Sequence, residues 1–204
     1  MDGLPVILHP EIVPDIDRIL YLCDCRTDSP VYDYMRGEAA VVADAVRRAA
    51  RPAASLAFDG GSAFCVMTVG ADASRMSGQY FDSGEYVRGL LADAACDDLI
   101  ASLDDCVKDA LRLQCKQRGV GIQMRLEAPQ DIPMDRQKVI CRTARAGDIG
   151  VTLLESLMLS PVKSACCEYV LSCGDEFNTD HNCGRCPHLD CKLRNGGFIN
   201  ESAR

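Results

Sequence analysis

The sequence predicts an α+β protein: a twisted antiparallel sheet packed with helices, followed by a small C-terminal Cys-rich metal module. Three observations predict it. A long amphipathic segment spans residues 82–117, short runs rich in β-branched and aromatic residues lie on either side of it, and four closely spaced cysteines follow the last periodic segment. We therefore divide the chain into a domain of residues 1–172 and a module of residues 173–204.

Composition limits the classes of function. The 204 residues carry a net charge of −8, which argues against nucleic acid or an anionic membrane as the main partner. No stretch reaches 18 uninterrupted apolar residues, so no spanning helix is expected. The N-terminal segment does not resemble a signal peptide, and 13 cysteines without export predict reduced thiols in the cytoplasm.

The first half of the chain contains three predicted elements. The apolar run 16–22 fits a helix or an edge strand. The alanine-rich segment 37–50 has one apolar stripe and predicts a helix that ends at Arg51-Pro52. The segment 62–69 is β-branched and aromatic and stops at Gly70, which predicts a buried strand.

The segment 82–117 predicts one long helix, or two with a break near residues 96–98. Its apolar residues recur at three- and four-residue steps, and aspartates fill the other face as a solvated surface. Gly119 is placed to cap the helix, and residues 120–126 predict a strand.

The remaining elements are shorter. Pro133 introduces a predicted helix at 134–144, residues 148–153 fit a short strand or turn, and residues 164–171 fit a strand. No hydrophobic periodicity follows Leu171, so the cysteine block stands apart as an appended module.

The C-terminal cysteines have the spacing of metal ligands. Two are separated by only two residues, a spacing that lets one segment bind a metal at two positions. Four thiolates in so short a stretch suit an iron–sulfur cluster, a structural zinc ion, or neither if the thiols are free. The four are Cys173, Cys183, Cys186 and Cys191. His181 and His188 flank the block and could replace a cysteine, although solvated histidines are commoner there.

The other cysteines favour ordinary packing. Cys166 and Cys167 are adjacent on a predicted strand and would point to opposite faces, so they cannot easily share a metal. Cys23 and Cys25 would share one face if their segment were a strand, and could then supply a cluster ligand or a redox pair, but a structural role is preferred. Five more fall on apolar stripes and are predicted as small core residues: Cys65, Cys96, Cys106, Cys115 and Cys141.

The segment 148–164, with its run Thr-Leu-Leu-Glu-Ser-Leu-Met, resembles a motif of the activation domain of vitamin B12-dependent methionine synthase. The order of elements around it is also similar. Thr-Val-Gly ends the strand at 68–70, and Gly-Val-Gly-Ile at 119–122 leads to Arg125. The resemblance covers roughly residues 15–172 and is greatest to short stand-alone activation proteins.

The resemblance implies a part in reductive reactivation. Cobalamin on a partner oxidises from Co(I) to inert Co(II), and its remethylation needs an electron and S-adenosylmethionine. The partner implied is a corrinoid-binding methyltransferase, or a methionine synthase lacking its own activation domain. A reduced donor such as ferredoxin or flavodoxin would supply the electron, and an iron–sulfur cluster in the tail, of the 4Fe-4S type, would pass it on. Whether the chain is itself an enzyme stays open.

The resemblance also implies site residues. Arg125 and Pro133 match the methyl-donor motif, although the Gly-Tyr pair that the family carries between them is missing here. Ala128, which lies in this stretch, is the further residue expected at the donor site. Contacts to the corrinoid or its nucleotide tail are expected from Glu155, Ser156, Ser160, Pro161, Lys163 and Ser164.

Two hypotheses of different class follow. The first is an accessory redox protein that reactivates a cobalamin-dependent methyltransferase, with a divergent methyltransferase component as a weaker variant. The alternative is a non-catalytic module, stabilised by zinc, that binds or shields a corrinoid protein.

Overall fold

The fold is built on one five-stranded antiparallel sheet, seen in a computed structural model that describes residues 4–194. Residues 195–204 of the predicted module lie outside the described residues. The strands are β1 (Val6–Leu8), β2 (Ala53–Asp59), β3 (Ser62–Thr68), β4 (Gly121–Leu126), β5 (Thr152–Leu153), β6 (Leu159–Ser160) and β7 (Ser164–Ser172). The sheet order is β1-β2-β3-β7-β4, and β5 pairs with β6 as a separate hairpin.

Helices cover both faces of this sheet. They are α1 (Ile16–Leu22), α2 (Tyr32–Ala49), α3 (Ala71–Asp82), α4 (Tyr86–Arg118) and α5 (Arg136–Thr143), with a 3₁₀ helix at Ala146–Ile149. Within residues 4–194, none of the helices is both long and apolar enough to cross a bilayer.

Strand β3 is buried on both faces, which explains its continuous apolar sequence. Cys65 and Met67 face a cluster that includes Leu103 and Leu111 of α4. Phe64 and Val66 face the opposite layer, which α5 and the 3₁₀ helix supply. The alternation follows from the two-residue period of a strand.

Helix α4 joins the two parts of the core. Its 33 residues span about 50 Å at the rise of an α-helix. The first half packs Leu91 and Leu99 into a mainly helical cluster with α1, α2 and α3, and the second half packs Leu103 and Val107 on the sheet. Gly119 ends the helix in the left-handed conformation, at φ 66°.

Most predicted elements are present, and the differences are local. The α+β class is confirmed, and α4 runs without a break. The strand β2 and the helix α3 were not predicted, because an alanine-rich sequence has little strand character and a polar helix of 12 residues has little periodicity. The residues Cys23 to Cys25 form a turn after α1 rather than a strand.

The prediction that the aspartates of α4 are a solvated face is wrong for Asp98 and Asp104. The side chain of Asp98 is fully buried, lies 2.8 Å from Arg18 Nε, and accepts a hydrogen bond from the backbone N–H of Asp15 at 2.7 Å. It ties the start of α1 to the middle of α4. Burial raises the pKa of Asp98, against the opposing effects of the Asp15 N–H and of Arg18.

A second buried carboxylate fixes α5 on the sheet. Glu168 of β7 accepts hydrogen bonds from Arg136 Nε at 2.7 Å and Arg136 Nη2 at 2.8 Å, and from the hydroxyl of Ser62 at 2.7 Å. The Arg136 guanidinium, helped by Ser62, lowers the pKa of Glu168 below its ordinary value of 4.5.

This pair predicts an acid-sensitive contribution to stability. A lowered pKa in the folded state means that the stabilisation is present above pH 4.5 and is lost as pH falls through the folded-state pKa. We expect Glu168→Gln to lower the free energy of unfolding at pH 7 by about 1.5–3 kcal/mol, the range for hydrogen bonds to a charged group, and by much less at pH 3. Urea unfolding at both pH values measures this. Glu155→Gln, at an exposed position, is the matched control; an equal loss in both variants would contradict the assignment.

Candidate functional site

A cleft of about 1350 Å³ lies between α4, the β4 end of the sheet and the cysteine-rich tail. Helix α4 lines it with residues that repeat at helical spacing, among them Asp97, Ala101, Asp104 and Lys108. Strand β4 contributes Arg125 and Glu127. The tail lines it with residues between Asp180 and Arg194, among them His181, Cys183, Cys186, His188 and Cys191.

Arg125 lies in the wall of this cleft with its side chain only 9% exposed. Its Nη1 donates hydrogen bonds to both carboxylate oxygens of Asp104, at 2.8 and 2.9 Å, and its Nε lies 2.6 Å from Glu127 Oε1. The guanidinium also stacks 5.8 Å from the ring centre of Tyr169. Nη2 is the nitrogen outside both ion pairs, so a ligand carboxylate would bind there or displace a protein carboxylate.

The cleft carries an excess of acid. Six carboxylates line it against four lysine and arginine side chains. With all of these groups ionised, the net charge of the cleft lining is negative, and the walls are partly shielded from water. Such an environment favours a cation over a neutral or anionic group of the same shape.

The tail is held on the sheet through the edge strand β4. The backbone N–H of Ile122 donates to Glu176 O at 2.7 Å, and the N–H of Asn178 donates to Ile122 O at 3.0 Å. Phe177 pairs with Ile122 in a parallel bridge. The tail therefore covers the edge of the sheet that would otherwise expose unpaired backbone groups.

Side chains continue this attachment towards the cysteines. His181 Nδ1 lies 2.5 Å from Glu127 Oε2, and Lys108 Nζ lies 3.1 Å from Asp180 Oδ1. The side-chain amide of Gln130 donates to Asn182 O at 3.1 Å. Glu127 thus contacts Arg125 through one carboxylate oxygen and His181 through the other.

The four cysteines predicted as ligands are divided between two clefts. Cys183, Cys186 and Cys191 line the large cleft. Cys173 lines a smaller one with Cys115 of α4 and Gly121, at the start of β4. In residues 4–194, no three histidine, cysteine or acidic side chains are close enough to hold a metal ion as they stand.

The residues predicted to contact a corrinoid fall into two groups. Glu155, Ser156 and Ser160 are exposed on the hairpin of β5 and β6. Lys163 and Ser164 are instead tied into the fold: Lys163 Nζ lies 2.9 Å from Asp93 and 2.6 Å from Asp97, and Ser164 Oγ donates to Thr68 Oγ1 at 2.9 Å. Pro161 follows Ser160 in a cis peptide, and Ala128 precedes Pro129 in another.

The same hairpin exposes apolar side chains. Leu154 is 46% exposed, Met158 53% and Val162 66%. Leu157 turns the hairpin with a positive φ of 65°. The two hairpin side chains, together with Val162 just after β6, form a candidate contact surface, which we call the hairpin surface.

The remaining cysteines follow their predicted faces except Cys106, which is half-buried rather than the core residue predicted. Cys166 lies beside Gln137 of α5, and Cys167 faces the α4 side of the sheet, where it is the register partner of Cys65. Cys23 Sγ lies 3.9 Å from the backbone oxygen of Leu90 in α4. Burial, followed by Cys25 and two aspartates of α4, raises the pKa of the Cys23 thiol to about 11.

Sequence reasoning missed Asp104 and Glu127, although both carry a detectable signal. Asp97 and Asp104 are seven residues apart, and so lie on one side of a helix. Arg125 and Glu127 alternate at the end of a strand, and so share a face. What the sequence could not provide was the pairing of the helix face with the strand.

Comparison with known proteins supports the fold alone. No family of sequences and no curated protein matches the chain. Among solved structures, the MetH reactivation domain bound to AdoHcy is similar, with a TM-score of 0.57 and 9% sequence identity over 83% of this chain and 79% of that one. The chain therefore has the fold of that activation domain.

Gly121 is the position where the tail and the sheet approach most closely. A Cβ there would lie 2.5 Å from Gly174 O and 2.7 Å from Glu176 O, both backbone atoms that cannot move aside cheaply. We expect Gly121→Ala to destabilise tail docking by about 1–3 kcal/mol, the usual cost of overpacking. Hydrogen exchange should then quicken at residues 176–178, while the core strands stay protected.

The matched control is Gly37→Ala, inside α2, where an added Cβ meets open space. It should leave exchange in the tail unchanged and stabilise the helix slightly. Unaltered exchange at residues 176–178 in Gly121→Ala would contradict the docking described here.

Proposed function

We propose that the chain is an accessory factor for the reductive reactivation of a cobalamin-dependent methyltransferase of the methionine synthase type. The observation that carries the proposal is the joining, in one cleft, of Arg125 and three tail cysteines, on the fold of a reactivation domain. One wall of the cleft would bind the methyl donor, and the other would hold a redox centre.

The methyl donor we propose is S-adenosylmethionine, a sulfonium cation. The acid-rich cleft suits a positive charge, and the similar solved domain was determined with AdoHcy, the demethylated form of this molecule. We expect Arg125 Nη2 to receive the donor's carboxylate, while Asp104 and Glu127 fix the orientation of the guanidinium.

The redox centre we propose is an iron–sulfur cluster held by cysteines of the tail. The donor set fits in its chemistry, since thiolates are the ligands that such clusters take. When bound, the cluster would supply one electron at a time. The protein's part is to hold the thiolates beside the donor cleft, through the backbone pairing of the tail with β4.

The partner we propose is a corrinoid protein that lacks an activation domain of its own. It would dock on the hairpin surface, where Ser156 and Ser160 offer hydroxyls and Leu154 and Met158 offer apolar contact to a flat macrocycle. A reduced ferredoxin or flavodoxin would provide the electron, in the cytoplasm. If the tail instead holds zinc, the protein binds or shields the corrinoid domain without electron transfer.

The methyl-donor proposal predicts a ligand preference. Calorimetry should show that the chain binds S-adenosylmethionine about fivefold more tightly than AdoHcy, because one added positive charge in an acid cleft is worth about 1 kcal/mol. Arg125→Ala should abolish binding of both. Arg112→Ala, at an arginine that lines the other cleft, should bind as the parent does. If the parent chain shows no heat of binding at millimolar ligand, the proposed donor site is wrong.

The docking proposal predicts a difference between two exposed apolar positions. Met158→Asp should weaken binding to a cobalamin-loaded methionine synthase lacking its activation domain by at least tenfold, because it places a charge in the interface. Val41→Asp, on the exposed side of α2, should bind like the parent. Biolayer interferometry measures both. Equal affinities for the two variants would place the interface elsewhere.

A further inference from the structure

The position of Cys173 conflicts with a centre formed by the four tail cysteines. Cys173 directly follows β7, whose last residue Ser172 is paired with Gly121 of β4. The chain then crosses β4, where Phe177 pairs with Ile122, and only afterwards reaches Cys183. Cys173 therefore lies at the start of β4, whereas the other three cysteines line the large cleft with Arg125 and Glu127, at the end of that strand.

His181 lies at the same end of β4 as the other three cysteines, beside Glu127. It lines the large cleft together with Cys183, Cys186 and Cys191. Both ends of the segment that carries it are anchored, since Asp180 is paired with Lys108 and the backbone oxygen of Asn182 accepts from Gln130.

The hydrogen bond of His181 prepares it to bind a metal. Its Nδ1 lies 2.5 Å from Glu127 Oε2. In the neutral tautomer that carries its proton on Nδ1, the imidazole donates to Glu127 and keeps the lone pair of Nε2 for a metal. Metal-binding histidines have this arrangement almost always: one nitrogen is held by a carboxylate, and the other bonds the metal.

We infer that His181 is the fourth ligand of the metal centre and that Cys173 lies outside it. The other three ligands are Cys183, Cys186 and Cys191. The inference rests on the proposed function, in which the tail binds a metal. Three thiolates and one imidazole form a recognised set for a tetrahedral, thiophilic metal ion. The side chains must rotate towards one another to close around it, because no three of them in residues 4–194 do so as they stand.

Glu127 has a double role in this arrangement. One of its oxygens orients the metal-binding histidine, and the other lies 2.6 Å from Nε of Arg125. The centre and the donor cleft therefore share a carboxylate, and a change at one alters the orientation of the other. Glu127 is a positioning residue, since it contacts neither the metal nor the donor.

Titration of the metal-free full-length chain with Co²⁺ under anaerobic conditions tests the ligand set. The thiolate-to-cobalt absorption reports the number of thiolates, and the midpoint reports affinity. We expect Cys173→Ser to bind as the parent does, and His181→Ala to lose at least tenfold in affinity. Glu127→Gln should lose about 10–100-fold, the effect usual for a carboxylate that orients a ligand.

Two further variants separate ligation from folding. His181→Cys should restore tight binding with stronger thiolate absorption, because a fourth thiolate replaces the imidazole. His188→Ala, at an exposed histidine of the same cleft, should bind like the parent. Full affinity in His181→Ala together with loss in Cys173→Ser would overturn the inference.

Metal analysis of the anaerobically purified parent chain keeps the two proposals distinguishable. Iron and sulfide support the redox centre, whereas one equivalent of zinc supports the non-catalytic alternative, and either result is compatible with His181 as a ligand. A parent chain that holds no metal and takes up no Co²⁺ would overturn the metal centre itself, and the ligand set with it.

Discussion

The fold and the candidate site both depend on helix α4, because one stripe of its surface packs in the core and another lines the cleft. The apolar stripe, which includes Leu91, Leu99 and Leu111, joins the helical layer to the sheet. The stripe beside it, with Asp97 and Asp104, lines the cleft. Burial of the first stripe fixes the rotation of the helix, and this rotation places the second stripe opposite Arg125.

The tail depends on the same sheet in another way. As an edge strand, β4 would leave backbone groups unpaired without the tail. The tail forms hydrogen bonds with these groups at Ile122 before the chain turns into the cleft. Three cysteines and His181 are thereby brought beside Arg125, and Glu127 contacts the arginine and the histidine at once. A tail too short to form a core of its own gains its position from main-chain pairing and a few ion pairs.

The sequence predicted the features that depend on local periodicity. The long helix, the strand β3 and the Gly119 cap follow from spacing and from backbone preference, and each is present. Strand β2 was not predicted because its alanines have little strand character. Its pairing with β3 depends on register rather than on composition.

The candidate site was predictable only in part, for a similar reason. Arg125 and the tail cysteines were found from a resemblance and from spacing. Their partners were not, because Asp104 meets Arg125 across a distance of 21 residues and His181 meets Glu127 across 54. The separation of Cys173 from the other cysteines depends on where the chain crosses β4, which spacing along a sequence cannot reveal.

The central claim is that this chain returns an inactive Co(II) corrinoid to its active, methylated state. Electron paramagnetic resonance measures it directly, since Co(II) cobalamin is paramagnetic and its Co(I) and methylated forms are not. The sample is a Co(II)-loaded methionine synthase lacking its activation domain, with a reduced donor and S-adenosylmethionine. We expect the Co(II) signal to disappear when the full chain is added, and to disappear more slowly with Arg125→Ala. A signal that persists unchanged with the parent chain would contradict it.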